Sequence, residues 1–176
     1  MTIALATLTI AHVLVSLIGL GSGFLVIWSL LKDKWLQRWN EVFLATTIAT
    51  SASGFLFPTD QLTPGQIIGV LSLLVLAAAV FARYHQQLAG RWRTTYVISA
   101  VTAQYFNLFV FVVQLFLKVP VLKALAPTQT EPVFAITQLA TLAAFIGVGL
   151  AAVVRFRGGR DNGALPKRFA QPTLTV

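Results

Sequence analysis

His12 is the only histidine, acid or base inside five long apolar segments of this chain. An ionisable side chain in apolar surroundings is costly and often functional. This imidazole could ligate a haem iron, contact a quinone or accept a proton. Ser16 and Gly19 share its helical face and would leave space for a flat ring. The simpler alternative is a neutral imidazole that hydrogen-bonds to a neighbouring helix.

The only other histidine, His85, follows Arg83 and Tyr84 in the gap between the third and fourth segments. It should therefore lie most of a bilayer away from His12, and one chain cannot ligate one iron through both. A bis-histidine haem b would need His12 from two copies, or a different second ligand. The chain has no cysteine, so we expect no zinc or copper site.

The fourth segment carries a stripe of polar residues at helical spacing. Gln104, Asn107, Gln114 and Lys118 recur at intervals that place them on one face. Amides in lipid need partners, so the stripe could tie helices together, with Gln138 and Thr141 of the fifth segment as partners. It could instead line a pathway for a small solute or ion.

Small residues mark the faces through which helices can approach closely in lipid. Gly19 and Gly23 form a GxxxG pair in the first segment, and the second and fifth segments carry similar stripes. We therefore predict packing between these three segments, through Ser16, Gly19, Gly23, Thr50, Ser53, Gly54 and Gly147.

The segments that must position these residues are long enough to cross a membrane. About 20 apolar residues span a hydrocarbon layer roughly 30 Å thick. The chain is 57% hydrophobic and 10% charged, whereas soluble domains carry about a quarter charged residues. These features predict an all-α bundle of five transmembrane helices within a single domain, 1–157. The helices are expected at about 2–31, 42–58, 65–84, 94–118 and 132–155.

Basic residues predict the orientation of the bundle. Lysine and arginine concentrate in the first and third gaps and in the tail, and such segments face the cytoplasm. We therefore expect the N-terminus outside and a basic, flexible cytoplasmic tail at 158–176. The net charge of +8 is spread over these connections, so nucleic-acid binding is not expected.

The remaining connections predict two local structures. In the fourth gap, Lys118 or Lys123 could pair with Glu131 and clamp the connection. Pro132 fits the first turn of the fifth helix, although the polar segment before it could instead be a recognition loop.

Five short stretches resemble a family of uncharacterised small multi-pass bacterial inner-membrane proteins that has no assigned activity. The stretches are Phe43–Thr50, Gly54–Pro58, Asn107–Val110, Val113–Pro120 and Ala126–Pro132. A fainter resemblance, carried by His12 and Gly19, is to small haem-b membrane proteins, although a second intramembrane histidine is absent. The resemblance implies a multi-pass protein of the bacterial inner membrane.

Three hypotheses for the function follow. No catalytic motif is present, so the first is a non-catalytic accessory or assembly subunit that associates with itself or with other membrane subunits in the lipid bilayer. The second is a redox protein that holds haem b or a quinone at His12. The third is a solute or ion pathway along the fourth helix.

Overall fold

A computed structural model of the chain describes residues 3–59, 61 and 63–158, and this part is helical without any strand. Six α-helices follow one another: α1 (Ile3–Leu31), α2 (Gln37–Ser53), α3 (Pro64–Val80), α4 (Arg91–Lys118), α5 (Pro120–Leu125) and α6 (Pro132–Arg155). A 3₁₀ turn (Gly54–Leu56) extends α2, and a π-helical turn (Phe81–His85) extends α3. Asp60 and the predicted tail after Gly158 lie outside the described residues.

Four helices are long and apolar enough to cross a membrane: α1, α3 with its π turn, α4 and α6. The chain is therefore a helical bundle of the kind found in multi-pass membrane proteins. Helix α2 is shorter, with 17 residues, and begins at Gln37 rather than at the expected 42. The polar side chains at its start form hydrogen bonds within the same helix end. The Asn40 side chain donates to the Leu36 carbonyl, and the Gln37 amide donates to the Glu41 carboxylate.

Local signals explain where the helices begin and end. Helix α3 begins with a capping box, in which Thr63 and Gln66 each satisfy a backbone N–H of the other. Proline occupies the first turn of α3, α5 and α6, where its missing N–H costs nothing. Helix α1 ends at Leu31, and the positive φ of Asp33, two residues later, turns the chain toward α2.

Helices α1 and α2 pack antiparallel, α3 packs against α4, and α4 also contacts α1 and α6. We call the end where α1 and α6 finish and α2 and α4 begin the basic end. It carries every described lysine and arginine except Lys118 and Lys123, which lie at the opposite, distal end.

Burial is concentrated toward the basic end. The apolar core joins the last turns of α1, α3 and α6 to the first turns of α2 and α4, with Leu30, Phe43, Leu76, Val97 and Phe156 among its members. By contrast, no residue of α1 before Gly19 is buried, and α6 buries only Gln138 and Ala152. The described bundle is therefore closely packed at one end and opens toward the other.

Candidate functional site

His12 lies in the open half of the bundle, where its Nδ1 is 2.8 Å from the Ser53 hydroxyl of α2. The ring also meets Phe57 edge to face, with 5.2 Å between centroids. Nearby on α2, the Thr50 hydroxyl is buried without a hydrogen-bond partner. Ser16 donates to the carbonyl of His12, one turn earlier in its own helix, at 2.6 Å. The histidine thus connects α1 to α2 and remains partly exposed.

The two predicted glycines of α1 both lie at close helix contacts. A Cβ added at Gly19 would be 3.2 Å from the Thr46 hydroxyl, and one added at Gly23 would be 1.9 Å from Oε1 of Gln104. The same Cβ at Gly23 would lie 2.9 Å from the Phe43 ring. The missing side chains therefore give α2 and α4 the space they occupy beside α1.

The stripe on α4 divides between the two halves of the bundle. Gln104 is fully buried and donates to the Leu20 carbonyl of α1 at 2.8 Å. Asn107 donates to the Thr47 hydroxyl of α2 at 3.1 Å. Gln114 and Lys118 are exposed because the bundle has opened at their level. The stripe thus runs from interhelical ties in the packed half to an uncovered surface.

The predicted partners on α6 contact other groups. Gln138 donates to the backbone carbonyl of Phe109, at 3.3 Å, rather than to the polar stripe. Thr141 donates to the carbonyl of Thr137 in its own helix. Helix α6 is therefore joined to α4 by one amide and by aromatic contacts such as Phe116 with Phe134, at 5.3 Å.

Two of the glycines predicted to pack do not meet another helix within the chain. A Cβ added at Gly54 or Gly147 would have no atom within 4 Å, so these two predictions are corrected. Gly147 is exposed because it points away from α4. The glycine of α6 that faces a neighbour is Gly149, where an added Cβ would lie 3.4 Å from Val101.

A polar cluster that was not expected from the sequence lies at the basic end. Nη2 of Arg83 in the π turn lies 3.2 Å from Oε1 of Glu41 in α2. The guanidinium also lies over the rings of Trp35 and Tyr84, at 5.2 and 4.7 Å from their centroids. Arg83 is buried, and its Nη1 has no hydrogen-bond partner. An arginine that directly follows an apolar segment was the available signal, but its partner lies 42 residues away.

Two further side chains complete this cluster. The Tyr96 hydroxyl of α4 donates to the Asn40 side chain of α2, and both residues are fully buried. Trp35 meets Tyr96 at 5.6 Å and Phe156, just after α6, at 6.0 Å between ring centroids. The cluster thus ties α2, α3 and α4 together and extends to the end of α6.

Glu131 precedes α6 at the distal end. Its carboxylate accepts from the backbone N–H of Thr128 at 3.1 Å and from the hydroxyl of the same residue at 2.9 Å. It forms no ion pair with Lys118 or Lys123, so the predicted clamp is wrong. Burial alone would raise the pKa of Glu131, but the hydrogen bonds from Thr128 outweigh it and lower that pKa.

Several polar side chains connect one helix to another, among them His12, Gln104 and Asn107, whereas many serines and threonines bond within their own helix. Within residues 3–59, 61 and 63–158, no three histidine or acidic side chains come together as metal ligands. His85 stacks on Phe81 at the basic end, far along the bundle from His12.

Comparison of the chain with protein-family models, with curated proteins and with solved structures finds no match. The resemblance to bacterial inner-membrane proteins therefore rests on the short stretches that carry it.

Proposed function

We propose that this protein is a non-catalytic, multi-pass subunit of the bacterial inner membrane that assembles with a second copy or with other membrane subunits. The observation that carries the proposal is the outward face of α6. Ala140, Ala143 and Gly147 lie together on the side of this helix opposite α4, and all three are exposed. Small residues at such spacing allow a second helix to approach closely in lipid.

The polar surface of the open half supports the same proposal. Gln114 is exposed on a candidate membrane span and makes no hydrogen bond with a described residue. An amide in hydrocarbon without a partner is unfavourable, and a partner subunit would satisfy it. The polar ties inside the bundle meanwhile hold the helices in fixed positions, which suits a protein whose role is to present a surface.

The proposal includes five crossings, with the basic end in the cytoplasm and the N-terminus outside. Helix α2 and its 3₁₀ turn together cover Gln37–Leu56, and a helix of that length reaches about 30 Å. The distribution of lysine and arginine supports this orientation, as do the exposed aromatic residues Trp28, Trp39, Tyr84 and Trp92 near the basic end. Reporter fusions at the two ends test it, and reporters on the same side would contradict five crossings.

Disulfide crosslinking in membranes tests the assembly. The chain has no cysteine, so single substitutions report without background. Gly147→Cys and Ala143→Cys are expected to give a crosslinked dimer, or a crosslink to another membrane subunit. Leu74→Cys is the control, since Leu74 is 65% exposed on α3, away from the proposed contact. A strictly monomeric protein without any co-purifying partner would contradict the proposal.

A redox role at His12 is the second candidate. It is supported by the position of His12 in the open half, where Ser53 occupies Nδ1 and Nε2 makes no hydrogen bond with a described residue. Two copies could then each offer one imidazole to a haem b, or the ring could contact a quinone. Purified protein without a Soret band, and with its bound quinone unchanged by His12→Ala, would eliminate this candidate.

A further inference from the structure

A shallow depression lies at the basic end, where α1 and α6 finish side by side. It has a volume of about 550 Å³ and is lined by Leu31, Lys32, Asp33, Val154, Arg155 and Arg157. Three of these residues carry a positive charge and one a negative charge, so the lining is net positive. Lys32, Arg155 and Arg157 are all exposed.

The wall of this depression is held in place by backbone hydrogen bonds. The N–H of Arg157 donates to the Asp33 carboxylate at 2.7 Å, and the carbonyl of Arg157 accepts from the Arg93 guanidinium at 2.8 Å. These two bonds connect the end of α6 to the loop after α1 and to α4. Because they use only the backbone of Arg157, its exposed side chain makes no hydrogen bond with another described residue.

The apolar part of the lining indicates which ligand fits. Leu31 and Val154 lie beside the cations, and Val154 is 75% exposed. Trp28 lies one turn before the depression on α1, with Nζ of Lys34 5.8 Å from its ring centroid. Exposed tryptophan marks the headgroup level of a bilayer. The lining thus offers cations toward the headgroups and hydrocarbon toward the acyl chains.

We infer that this depression binds the phosphate-bearing headgroup of an anionic phospholipid, with Lys32, Arg155 and Arg157 as its cationic contacts. Basic pockets between membrane helices on the cytoplasmic side are suited to such headgroups. A free phosphate would gain the same charge contacts but would leave Leu31 and Val154 unused. The inference rests on the proposed membrane placement of the basic end.

Native mass spectrometry of detergent-purified protein tests the inference, with phosphatidylglycerol compared against phosphatidylcholine of the same acyl chains. We expect the wild type to retain the anionic lipid preferentially. Each neutralised cation should weaken that binding about fivefold, so Lys32→Gln/Arg155→Gln/Arg157→Gln should abolish the preference. Equal retention of the two lipids by the wild type would overturn the inference.

Matched variants separate this site from general electrostatics and from misfolding. Arg38→Gln/Arg91→Gln removes two charges at the same end outside the depression and should keep the preference, whereas Arg155→Gln/Arg157→Gln removes two charges inside it and should lose most of it. Arg157→Gln alone leaves the backbone bonds in place and should still lose about fivefold. Equal loss in these two double variants, or unchanged binding by Arg157→Gln, would overturn the inference.

Two further measurements are useful here. The first distinguishes a lipid from free phosphate as the ligand, and the second separates this inference from the proposal of assembly. Inorganic phosphate at millimolar concentration is expected to displace no bound lipid, whereas displacement would identify free phosphate as the ligand and overturn the inference. The same spectra give the mass of the assembly. A monomer that binds anionic lipid but no partner subunit would contradict only the assembly, and an assembly without lipid preference would contradict only this site.

Discussion

The guanidinium of Arg83 and the carboxylate of Glu41 join the end of α3 to the beginning of α2, with 3.2 Å between Nη2 and Oε1. The two side chains differ greatly in exposure, at 4% for Arg83 and 46% for Glu41. The arginine depends on the pair because it is buried, whereas the carboxylate also contacts solvent and Gln37. This asymmetry leads to the first prediction.

Glu41→Ala should destabilise the protein more than Arg83→Met. Removing the carboxylate leaves a buried charged donor without its partner, which costs about 1–3 kcal/mol, and the exposure of Glu41 favours the lower value. Methionine at position 83 keeps apolar bulk between Trp35 and Tyr84 and removes the charge. Thermal unfolding in detergent measures both effects. Arg38→Ala, an exposed change in the same helix, should shift stability by less than about 0.5 kcal/mol.

Gly23→Ala should lower stability by about 1–3 kcal/mol, since an added methyl group overpacks a filled core. The methyl would overlap the buried Gln104 amide and press on Phe43. Gly21→Ala is the matched control, because a Cβ at Gly21 meets nothing within 4 Å. Gln104→Ala shortens the opposing side chain and makes room for the methyl group. The double variant Gly23→Ala/Gln104→Ala should therefore lose less stability than the sum of the two single variants. Strict additivity in this double-mutant cycle would contradict the contact.

Tyr96→Phe should cost about 1–3 kcal/mol, because it leaves the buried oxygen of Asn40 without a donor. Unfolding of the purified variant in detergent measures the loss. Tyr105→Phe supplies the comparison on the same helix, since the Tyr105 hydroxyl has no hydrogen-bond partner among the described residues. Equal stability of the two phenylalanine variants would argue against a bond between Tyr96 and Asn40.

Acidification should weaken the segment before α6 through Glu131. Its pKa lies below the ordinary value of 4.5, so the folded state stabilises the carboxylate form. That contribution is present above pH 4.5 and is lost as the pH falls through the lower folded pKa. Thr128→Val removes one of the two donors and should raise the pKa of Glu131 toward 4.5.

Carbon-13 NMR of glutamate-labelled protein can follow this titration, because Glu41 and Glu131 are the only glutamates in the sequence. Thr137→Val should leave the pKa of Glu131 unchanged, since the Thr137 hydroxyl donates to Val133 within its own helix. A titration of Glu131 that Thr128→Val does not move would show that the Thr128 hydroxyl does not bond to the carboxylate.

Sequence alone predicts the four long apolar helices because length and apolarity set them directly, whereas α2 begins at Gln37 and not at the expected 42. The GxxxG of α1 also indicates a close contact, since Gly19 and Gly23 fall on the one face of α1 that meets α2 and α4. The same reasoning fails for α6, where Gly147 and Gly149 are both small and sit two residues apart. Only the direction in which α6 packs decides that Gly149 faces inward.

The polar pairs are harder to predict because spacing along the chain does not report separation in space. Arg83 lies in the π turn after α3 and Glu41 in the first turns of α2, 42 residues apart along the chain. Lys118 and Lys123 are the charged partners for Glu131 that the sequence suggests. Thr128 is only three residues away, and it can bond to the carboxylate without ordering a long side chain. Short local hydrogen bonds prevail there over an exposed ion pair, whose contribution is small.

The concentration of buried side chains at the basic end has a consequence for motion. Amide groups in the packed half should exchange with solvent only in rare global openings, whereas those near the starts of α1 and α6 should exchange through small local fluctuations. The separation between these two helix starts can then change while Leu30, Phe43 and Tyr96 keep their contacts. We therefore expect the half of the bundle at the basic end to be rigid and the half at the distal end to be more mobile.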